Sequence, residues 1–287
     1  MTAPRRHKQE PVTARPIPAK AGDMTRTDVV GGNDVQIAHH QGWRPYQEDR
    51  FMVAANVDTE GGNGRQFLSR LFSAAAKATN SAKAGSTATA LLLDKDMTLN
   101  VAYLGDSPLV MIIHDTKTGE VTATKLTRDH HAALPAEKKR VEKAGGFVAG
   151  NGRAGGRLML SRAFGDAEIA GVSRQPEFAR AKLKKHMDAG RNIYLCLSSD
   201  GLLETLNARD LIEPFKAALA AGNEAGLAAA FATYAYSANS LDNITALVVK
   251  LPPAPAENLL LALADGHGGH ATADKVVAAF KSLLSPK

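Results

Sequence analysis

Four apolar segments of this chain begin or end at acidic residues, and this pattern limits how the segments can be arranged in a fold. The acidic residues are Glu48-Asp49 before Phe51, Asp200 after Leu197, Asp242 before Ile244, and Asp265 after Leu263. A single aspartate at a strand end is commonly a turn former or a helix cap. Four such sites together, with no Cys or His pair at zinc spacing nearby, predict an oxygen-rich site for hard cations such as Mg²⁺ or Mn²⁺.

The remaining apolar segments and turns predict many strands and several helices. Strands are predicted at residues 35–38, 51–55, 87–93, 99–104, 109–114, 193–198, 244–251 and 259–264. Helices are predicted at residues 67–82, 135–144, 210–220, 224–235 and 271–284. Because strands and helices do not alternate as in βαβ units, the pattern favours an α+β fold over a doubly wound sheet.

Residues 1–33 differ in composition from the rest of the chain. They hold Pro4, Pro11, Pro16 and Pro18 and an excess of basic residues, without hydrophobic periodicity. This predicts a disordered basic tail before a folded domain at residues 34–287. A nucleic-acid or anionic-membrane contact through this tail is an alternative to a solvated leader. The charge on the rest of the chain is too weak to indicate a nucleic-acid partner.

Composition indicates a soluble protein. Hydrophobic residues make up 44% of the 287 residues and charged residues 22%, as in ordinary globular domains. The sequence has no apolar run long enough to span a membrane and no signal-peptide stretch at its N-terminus. The single cysteine, Cys196, lies in an apolar run and cannot form an internal disulfide, which fits a reducing compartment. We therefore expect a cytoplasmic protein without a membrane partner.

The acidic pattern and its neighbours predict hydrolysis of phosphate esters. Two divalent cations about 3.5–4 Å apart can activate a bridging water and stabilise displacement at phosphorus. Gly266 has no side chain, so its carbonyl can approach a cation. Arg44, four residues before Glu48, can form a bidentate contact with phosphate oxygens. His267 can protonate a departing alkoxide near neutral pH.

A series of short motifs resembles those of the PPM (type 2C) metal-dependent protein serine/threonine phosphatases. The first is Gly42-Trp-Arg-Pro-Tyr-Gln-Glu-Asp49. The motifs that follow in family order are Gly85-Ser-Thr-Ala88, Leu104-Gly-Asp-Ser107, Leu126-Thr-Arg-Asp-His130, Ala144-Gly-Gly146, Arg153-Ala-Gly-Gly156, Leu158-Met-Leu-Ser-Arg-Ala-Phe-Gly-Asp166, Ser198-Ser-Asp-Gly-Leu202 and Asp242-Asn-Ile-Thr245. The match covers roughly residues 34–284, and its motifs are specific jointly rather than singly. The resemblance implies a four-layer α/β/β/α sandwich, in which two antiparallel sheets are flanked by helices and metals bind at one end.

The resemblance also implies the ligands of two Mn²⁺ or Mg²⁺ ions. Asp265 bridges the two ions, and the carbonyl of Gly266 joins it. Glu48 serves one ion, while Asp200 and Asp242 serve the other.

Four further residues receive roles from the same resemblance. Asp49 acts mainly through water on a metal. Arg44 holds the substrate phosphate, and His267 is the general acid. Asp129 corresponds to a position that helps to hold a weaker third ion in many members, although its interpretation as a local cap or turn residue stays open.

One motif stands out of order. In the family, the Asp-Gly-His-Gly-Gly strand and its helix follow almost directly after the Glu-Asp motif. Here a glycine-rich loop at residues 57–65 holds that place, and the strand and helix occur at residues 259–284, after Pro252-Pro-Ala-Pro255. Residues 252–258 can span about 25 Å, which allows this transposed segment to dock within its own chain. We expect a monomer; a dimer that exchanges the segment is the alternative.

The expected substrates are proteins phosphorylated on serine or threonine. Two other classes remain open: a catalytically weak or inactive binding or adaptor protein of the same fold, and a nucleic-acid-binding protein acting through the tail and Arg153-Ala-Gly-Gly-Arg157. The pairs His39-His40 and His130-His131 invite a zinc interpretation. Adjacent residues on a strand point to opposite faces, which argues against it.

Overall fold

Two large antiparallel sheets pack face to face, with helices on their outer faces. The structure, a computed structural model, describes residues 17 and 19–284. The strands are β1 (Met24–Val30), β2 (Asn33–His40), β3 (Arg50–Ala55), β4 (Gly85–Ser86), β5 (Ala88–Leu93), β6 (Thr98–Leu104), β7 (Leu109–Asp115), β8 (Val121–Lys125), β9 (Phe164–Gly165), β10 (Glu177–Lys182), β11 (Arg191–Ser198), β12 (Ile244–Lys250), β13 (Leu259–Ala264) and β14 (Gly266–His267). The helices are α1 (Gly64–Ala78), α2 (Pro135–Lys143), α3 (Lys184–Asp188), α4 (Ile212–Ala220), α5 (Leu227–Ser237) and α6 (Ala271–Ser282).

Strand pairing gives three sheets. The first has the order β1-β2-β12-β11-β7-β8 and the second has the order β10-β6-β5-β13-β3. A small third sheet, β14-β4-β9, joins three two-residue strands. All residues of β5, β6 and β13 are buried. Strands buried on both faces read as continuous apolar runs rather than as alternating ones, which is why these segments were recognisable in the sequence.

Three clusters of apolar side chains fill the spaces between the layers. Ile37, Leu195 and Leu261 belong to the cluster between the two large sheets. A second cluster lies under α4 and α5 on the outer face of the first sheet, and a third lies under α1 and α6 on the outer face of the second sheet. Each fully buried leucine or phenylalanine contributes about 1.5–3 kcal/mol. The predicted α+β sandwich of two antiparallel sheets flanked by helices is therefore confirmed.

The start of α1 is fixed by a capping box. The side chain of Asn63 accepts a hydrogen bond from the backbone N–H of Gln66 at 3.0 Å, and the Gln66 side chain accepts one from the Asn63 N–H at 2.9 Å. Such caps contribute about 1 kcal/mol. The helix consequently begins earlier than the predicted start at residue 67, and Leu68, Leu71 and Phe72 face the core as predicted.

The segment at residues 259–284 docks within its own chain. β13 lies between β3 and β5, so that Leu261 is paired with Val53 on one side and Leu91 on the other. Helix α6 packs against α1. The side chain of Asn258 holds the preceding linker, because its amide donates to the carbonyl of Val57 at 3.0 Å.

The prediction of a disordered tail reaching residue 33 is wrong for residues 24–30. They form β1, in which Met24 pairs with His39 and Val30 with Asn33. This pairing satisfies the backbone groups of a stretch whose side chains are mostly exposed or half-buried. Residues 1–16 and 18 of the predicted tail lie outside the described residues.

In the part of the chain that the structure describes, every helix is too short or too polar to cross a bilayer.

Candidate active site

Antiparallel pairing gathers the four acidic strand ends at one end of the sandwich. In the first sheet, Ser198 at the end of β11 lies opposite Ala246 near the start of β12. In the second sheet, Ala264 at the end of β13 lies opposite Arg50 at the start of β3. An antiparallel neighbour starts where its partner ends. Residues that follow one strand and precede its neighbour therefore share one edge of the sandwich.

A cavity of about 460 Å³ lies at this edge. Its lining residues are Arg44, Thr87, Asp106, Arg153, Arg157, Leu158, Met159, Leu160, Asp200, Glu204, Asp242, Asp265, Gly266 and His267. Six of the nine predicted site residues are in this lining: Arg44, Asp200, Asp242, Asp265, Gly266 and His267.

Glu48 and Asp49 are buried behind this lining. The Glu48 backbone N–H donates to Asn243 Oδ1 at 2.8 Å, and the Glu48 carboxylate accepts a hydrogen bond from the backbone N–H of Gly269. Asp49 is fully buried; its Oδ2 accepts from the hydroxyl of Thr245 at 2.6 Å, and its Oδ1 has no hydrogen-bond partner. An unpartnered buried carboxylate oxygen is costly unless a donor or a cation reaches it.

Asn243 ties the loop before β3 to the first sheet. Its side-chain amide donates to the carbonyls of Gln41 at 2.8 Å and Tyr46 at 3.0 Å. Together with the bond to the Glu48 N–H, these contacts fix both ends of the loop that carries Arg44.

His39 supports Asp49 through Thr245. Burial, followed by the charge of Arg50, lowers the pKa of His39 to about 4, so the ring is neutral at pH 7. His39 Nδ1 lies 2.9 Å from Thr245 Oγ1, whose own proton points to Asp49. Since Thr245 has one proton to give, we assign His39 as the donor in this contact.

The acidic residues of the site raise one another's pKa. Burial raises the pKa of Asp200 well above its usual value, and the charges of Asp106 and Asp242 add to this. Burial also raises the pKa of Asp265, helped by the charges of Asp49 and Asp200. Burial raises the pKa of Asp49 to about 6. These effects describe a buried negative cluster that a divalent cation would stabilise.

The donor set fits Mg²⁺ or Mn²⁺, which take carboxylate and carbonyl oxygens. Gly266 suits such a site because a Cβ there would lie 2.9 Å from the carbonyl oxygen of Glu48. Within residues 17 and 19–284, no three His, Cys, Asp or Glu side chains already stand at metal-ligand spacing. Asp242 is paired with Arg44, and Glu48 with the Gly269 N–H. A cation that takes the same carboxylate oxygens would displace Arg44 and the Gly269 N–H.

Asp129 is not brought together with the other predicted ligands. Its carboxylate forms an ion pair with Lys125 and lines a separate depression, together with Ala208 and Arg209.

His267 is held at the edge of the cavity by a residue that sequence reasoning had not assigned. Its Nε2 lies 2.7 Å from Oδ2 of Asp166. Asp106, Thr245 and Asn243 were also unassigned, although all four lie in motifs that the sequence had already singled out. Their place in those motifs could have identified them from the sequence. The side chains that they contact could not be predicted in that way.

Known proteins share sequence and fold with this chain. A family model described as Protein phosphatase 2C matches residues 31–244. The chain is 37% identical over 170 residues to "Probable protein phosphatase 2C 59" of Arabidopsis thaliana, which covers 58% of this chain and 50% of that protein. It is also 37% identical over 146 residues to "Probable protein phosphatase 2C 2" of Paramecium tetraurelia, which covers 49% of this chain and 46% of that protein.

Solved structures share the architecture. A serine-threonine phosphatase 2C from Toxoplasma gondii superposes with a TM-score of 0.62 at 20% identity, covering 84% of this chain and 99% of that chain. A C. elegans sex determining protein superposes with a TM-score of 0.57 at 25% identity, covering 76% of this chain and 65% of that one. The chain spans about half the length of the two curated relatives above. Since the family model matches well over half of the chain, the chain belongs to the protein phosphatase 2C family.

Proposed function

We propose that this protein is a metal-dependent protein serine/threonine phosphatase. The observation that carries the proposal is the cavity in which Arg44 and His267 line the same space as Asp200, Asp242 and Asp265. A phosphate-binding guanidinium, a proton donor and a cluster of hard-cation ligands are the parts needed for hydrolysis of a phosphate monoester.

Two Mn²⁺ or Mg²⁺ ions are the proposed cofactors. Their proposed ligands are Glu48, Asp49, Asp200, Asp242, Asp265 and the carbonyl of Gly266. When bound, the ions supply a water nucleophile at neutral pH and offset the negative charge of the transferring phosphoryl group. A third ion at Asp129 would require Lys125 to leave that carboxylate.

The chain's own groups bind the ester and release the alcohol. Arg44, once it leaves Asp242, donates to the phosphate oxygens of the substrate. As the oxygen of water bonds to phosphorus, the ester P–O bond breaks and its electron pair stays on the serine or threonine oxygen. His267 gives that oxygen a proton and recovers one from solvent. The products are inorganic phosphate and the dephosphorylated protein, whose serine or threonine again carries a hydroxyl group.

Hydrolysis assays test this function. We expect p-nitrophenyl phosphate and phosphoserine or phosphothreonine peptides to be hydrolysed with Mn²⁺, and EDTA to abolish the activity. Asp265→Ala should reduce kcat/KM by about 10²-fold or more, since it removes a ligand of both ions. Activity that survives this substitution would refute the site assignment. Phosphopeptide binding without hydrolysis would instead favour a catalytically inactive binding protein.

We further propose that residues 259–284 are transposed relative to the family order. Two observations support this: β13 pairs with β3, which directly follows the Glu48-Asp49 motif, and the family match ends at residue 244. Moving residues 259–284 to the loop between β3 and α1 should give a folded, active protein. Loss of folding in that variant would contradict the proposal.

We also propose that the protein is a monomer and that it is located in the reducing environment of the cytoplasm. Docking of β13 within its own sheet supports the monomer, and one buried free thiol at Cys196 supports the compartment. Light scattering of the purified protein and fractionation of its native cells test these two statements. A dimer, or recovery in a secreted fraction only, would contradict them.

A further inference from the structure

Asp166 approaches His267 from a place that the cavity does not reach. His267 lines the cavity, whereas Asp166 does not. The Asp166 side chain is only 6% exposed, and its Oδ2 lies 2.7 Å from His267 Nε2. Asp166 therefore contacts the ring without facing the space where a substrate would bind.

The small third sheet sets up this contact. Gly85 is paired with His267 on one side and with Gly165 on the other. Asp166 directly follows Gly165, so its side chain and the imidazole approach each other across Gly85. A Cβ at Gly85 would lie 2.0 Å from His267 Nε2 and 2.1 Å from Asp166 Oδ2. The hydrogen bond occupies the space that a side chain at position 85 would fill.

The backbone at Asp166 is also specialised. Its φ is +46°, a left-handed conformation that few residues other than glycine, asparagine and aspartate adopt readily. Residues held in such a conformation cluster at functional sites.

Resting on the proposed phosphatase function, we propose that Asp166 is the positioning residue of His267. The Asp166 carboxylate accepts a hydrogen bond from Nε2–H and so fixes both the ring orientation and the tautomer. Nδ1 is then the nitrogen left to face the cavity. The proton that the departing serine or threonine oxygen receives comes from Nδ1, and the Nε2–H···Asp166 bond persists throughout the step.

Leaving-group dependence tests this role, because a phenolate such as p-nitrophenolate departs with little help whereas an alkoxide needs a proton. Asp166→Asn keeps the size and the backbone preference but removes the charge. We expect kcat for a phosphothreonine peptide to fall about 10- to 100-fold, with KM nearly unchanged and kcat for p-nitrophenyl phosphate within about twofold. Asp166→Gly, which also tolerates the positive φ, should behave alike.

A double variant shows whether Asp166 acts through His267 or affects catalysis independently of it. If Asp166 acts only through His267, Asp166→Asn combined with His267→Ala should be no slower than His267→Ala alone. Asp274→Asn is the matched control, since Asp274 bonds His270 at 2.6 Å and forms an ion pair with Arg50, and all three residues lie outside the cavity lining. This control should retain full activity on both substrates.

Nitrogen-15 spectra of the histidines give a readout independent of activity. In the Mg²⁺-loaded protein the His267 signal, assigned with His267→Ala, should show the proton on Nε2, and Asp166→Gly, which leaves no acceptor at this position, should shift the tautomer towards Nδ1. An unchanged tautomer, equal losses on both substrates, or a double variant slower than His267→Ala would overturn the inference. A wild-type protein that hydrolyses neither substrate would refute the phosphatase function instead, and the spectra would still decide the role of Asp166.

Discussion

At the scale of single residues, Gly85 matters through the side chain that it lacks. Any Cβ at this position would overlap both members of the His267–Asp166 hydrogen bond. Overpacking of this kind costs about 1–3 kcal/mol when neighbours must move. A side chain at this position would therefore disturb both local stability and the orientation of the His267 ring.

Gly85→Ala should lower both stability and activity. We expect a melting temperature lower by about 2–4 °C for each kcal/mol lost, and slower hydrolysis of phosphothreonine peptides than of p-nitrophenyl phosphate. Thermal unfolding and steady-state kinetics measure the two effects. Gly150→Ala is the control, since Gly150 has no atom within 4 Å of an added Cβ. Equal behaviour of the two variants would show that position 85 tolerates a side chain.

Local chemistry can be predicted from the sequence at this scale, and the ligand roles stay predictions. An acidic residue at the end of an apolar strand can be read directly, which is why Asp200, Asp242 and Asp265 were predicted and lie together. The partner of His267 could not be read in this way. Asp166 is 101 residues away in sequence, and only the pairing of three two-residue strands brings the two together.

At the scale of elements, Glu137 joins α2 to the segment that leads into β9. Burial alone would raise the pKa of Glu137, but hydrogen bonds from Arg162, Ser161 and Arg140 lower it to about 2. Arg140 belongs to α2, whereas Ser161 and Arg162 lie shortly before β9. The carboxylate thus fixes the approach of the strand that carries Asp166 at its end.

Glu137→Gln should destabilise the protein in a pH-dependent way. The folded pKa lies below the unfolded value of about 4.3. The stabilisation is therefore fully present above about pH 5 and lost as the pH falls towards 2. We expect a loss of about 2 kcal/mol at pH 7 that shrinks on acidification, measured by urea unfolding at several pH values. Glu142→Gln, which breaks only an exposed pair with Lys138, should change stability by less than about 0.5 kcal/mol.

The segment formed by β13 and α6 should be coupled to cation binding. Asp265 follows β13 directly, and its pKa is raised by burial and then by repulsion from the charges of Asp49, Asp200 and Asp242. A bound cation offsets this repulsion and adds its binding free energy to the docked state. We expect slower hydrogen exchange at residues 259–284 with Mn²⁺ than without it. Equal protection in both conditions would show that the segment docks independently of the metal.

Three of the strands that the sequence did not predict are edge strands of the large sheets. β1 and β8 form the two edges of the first sheet, and β10 forms one edge of the second. Each consists mostly of exposed and half-buried residues rather than of an apolar run. An edge strand buries less of its surface and is often charged, so hydrophobic periodicity gives little sign of it.

At the scale of the whole molecule, the two large sheets are joined by a short linker that crosses between them. Residues 251–258 lead from β12 in the first sheet to β13 in the second. Both Leu251 and Leu259 are buried in the cluster between the sheets. The layered architecture could be predicted from the family resemblance. The path of the linker could not, because its length alone also allows β13 to dock into a second molecule.

Lengthening the linker should have little effect. Inserting seven Gly and Ser residues after Ala254 about doubles it and should cost about 0.6 kcal/mol. We expect a monomer near 30.3 kDa, plus the insert, by light scattering at all concentrations. Deleting residues 253–256 should leave β13 unable to reach its own sheet and should favour dimers. A dimer of the unmodified chain would contradict docking within one molecule.

The position of β13 also affects the order in which the molecule can fold during its synthesis. β3 and β5 leave the ribosome early, but the strand that hydrogen-bonds to both is translated long after them. Until it emerges, two strand edges of a nascent chain stay without partners, and such edges invite aggregation. Pairings this distant in sequence also slow folding. The newly made protein should therefore depend on chaperones until residues 259–264 are released, and it acquires Asp265, the proposed metal ligand, in the same late step.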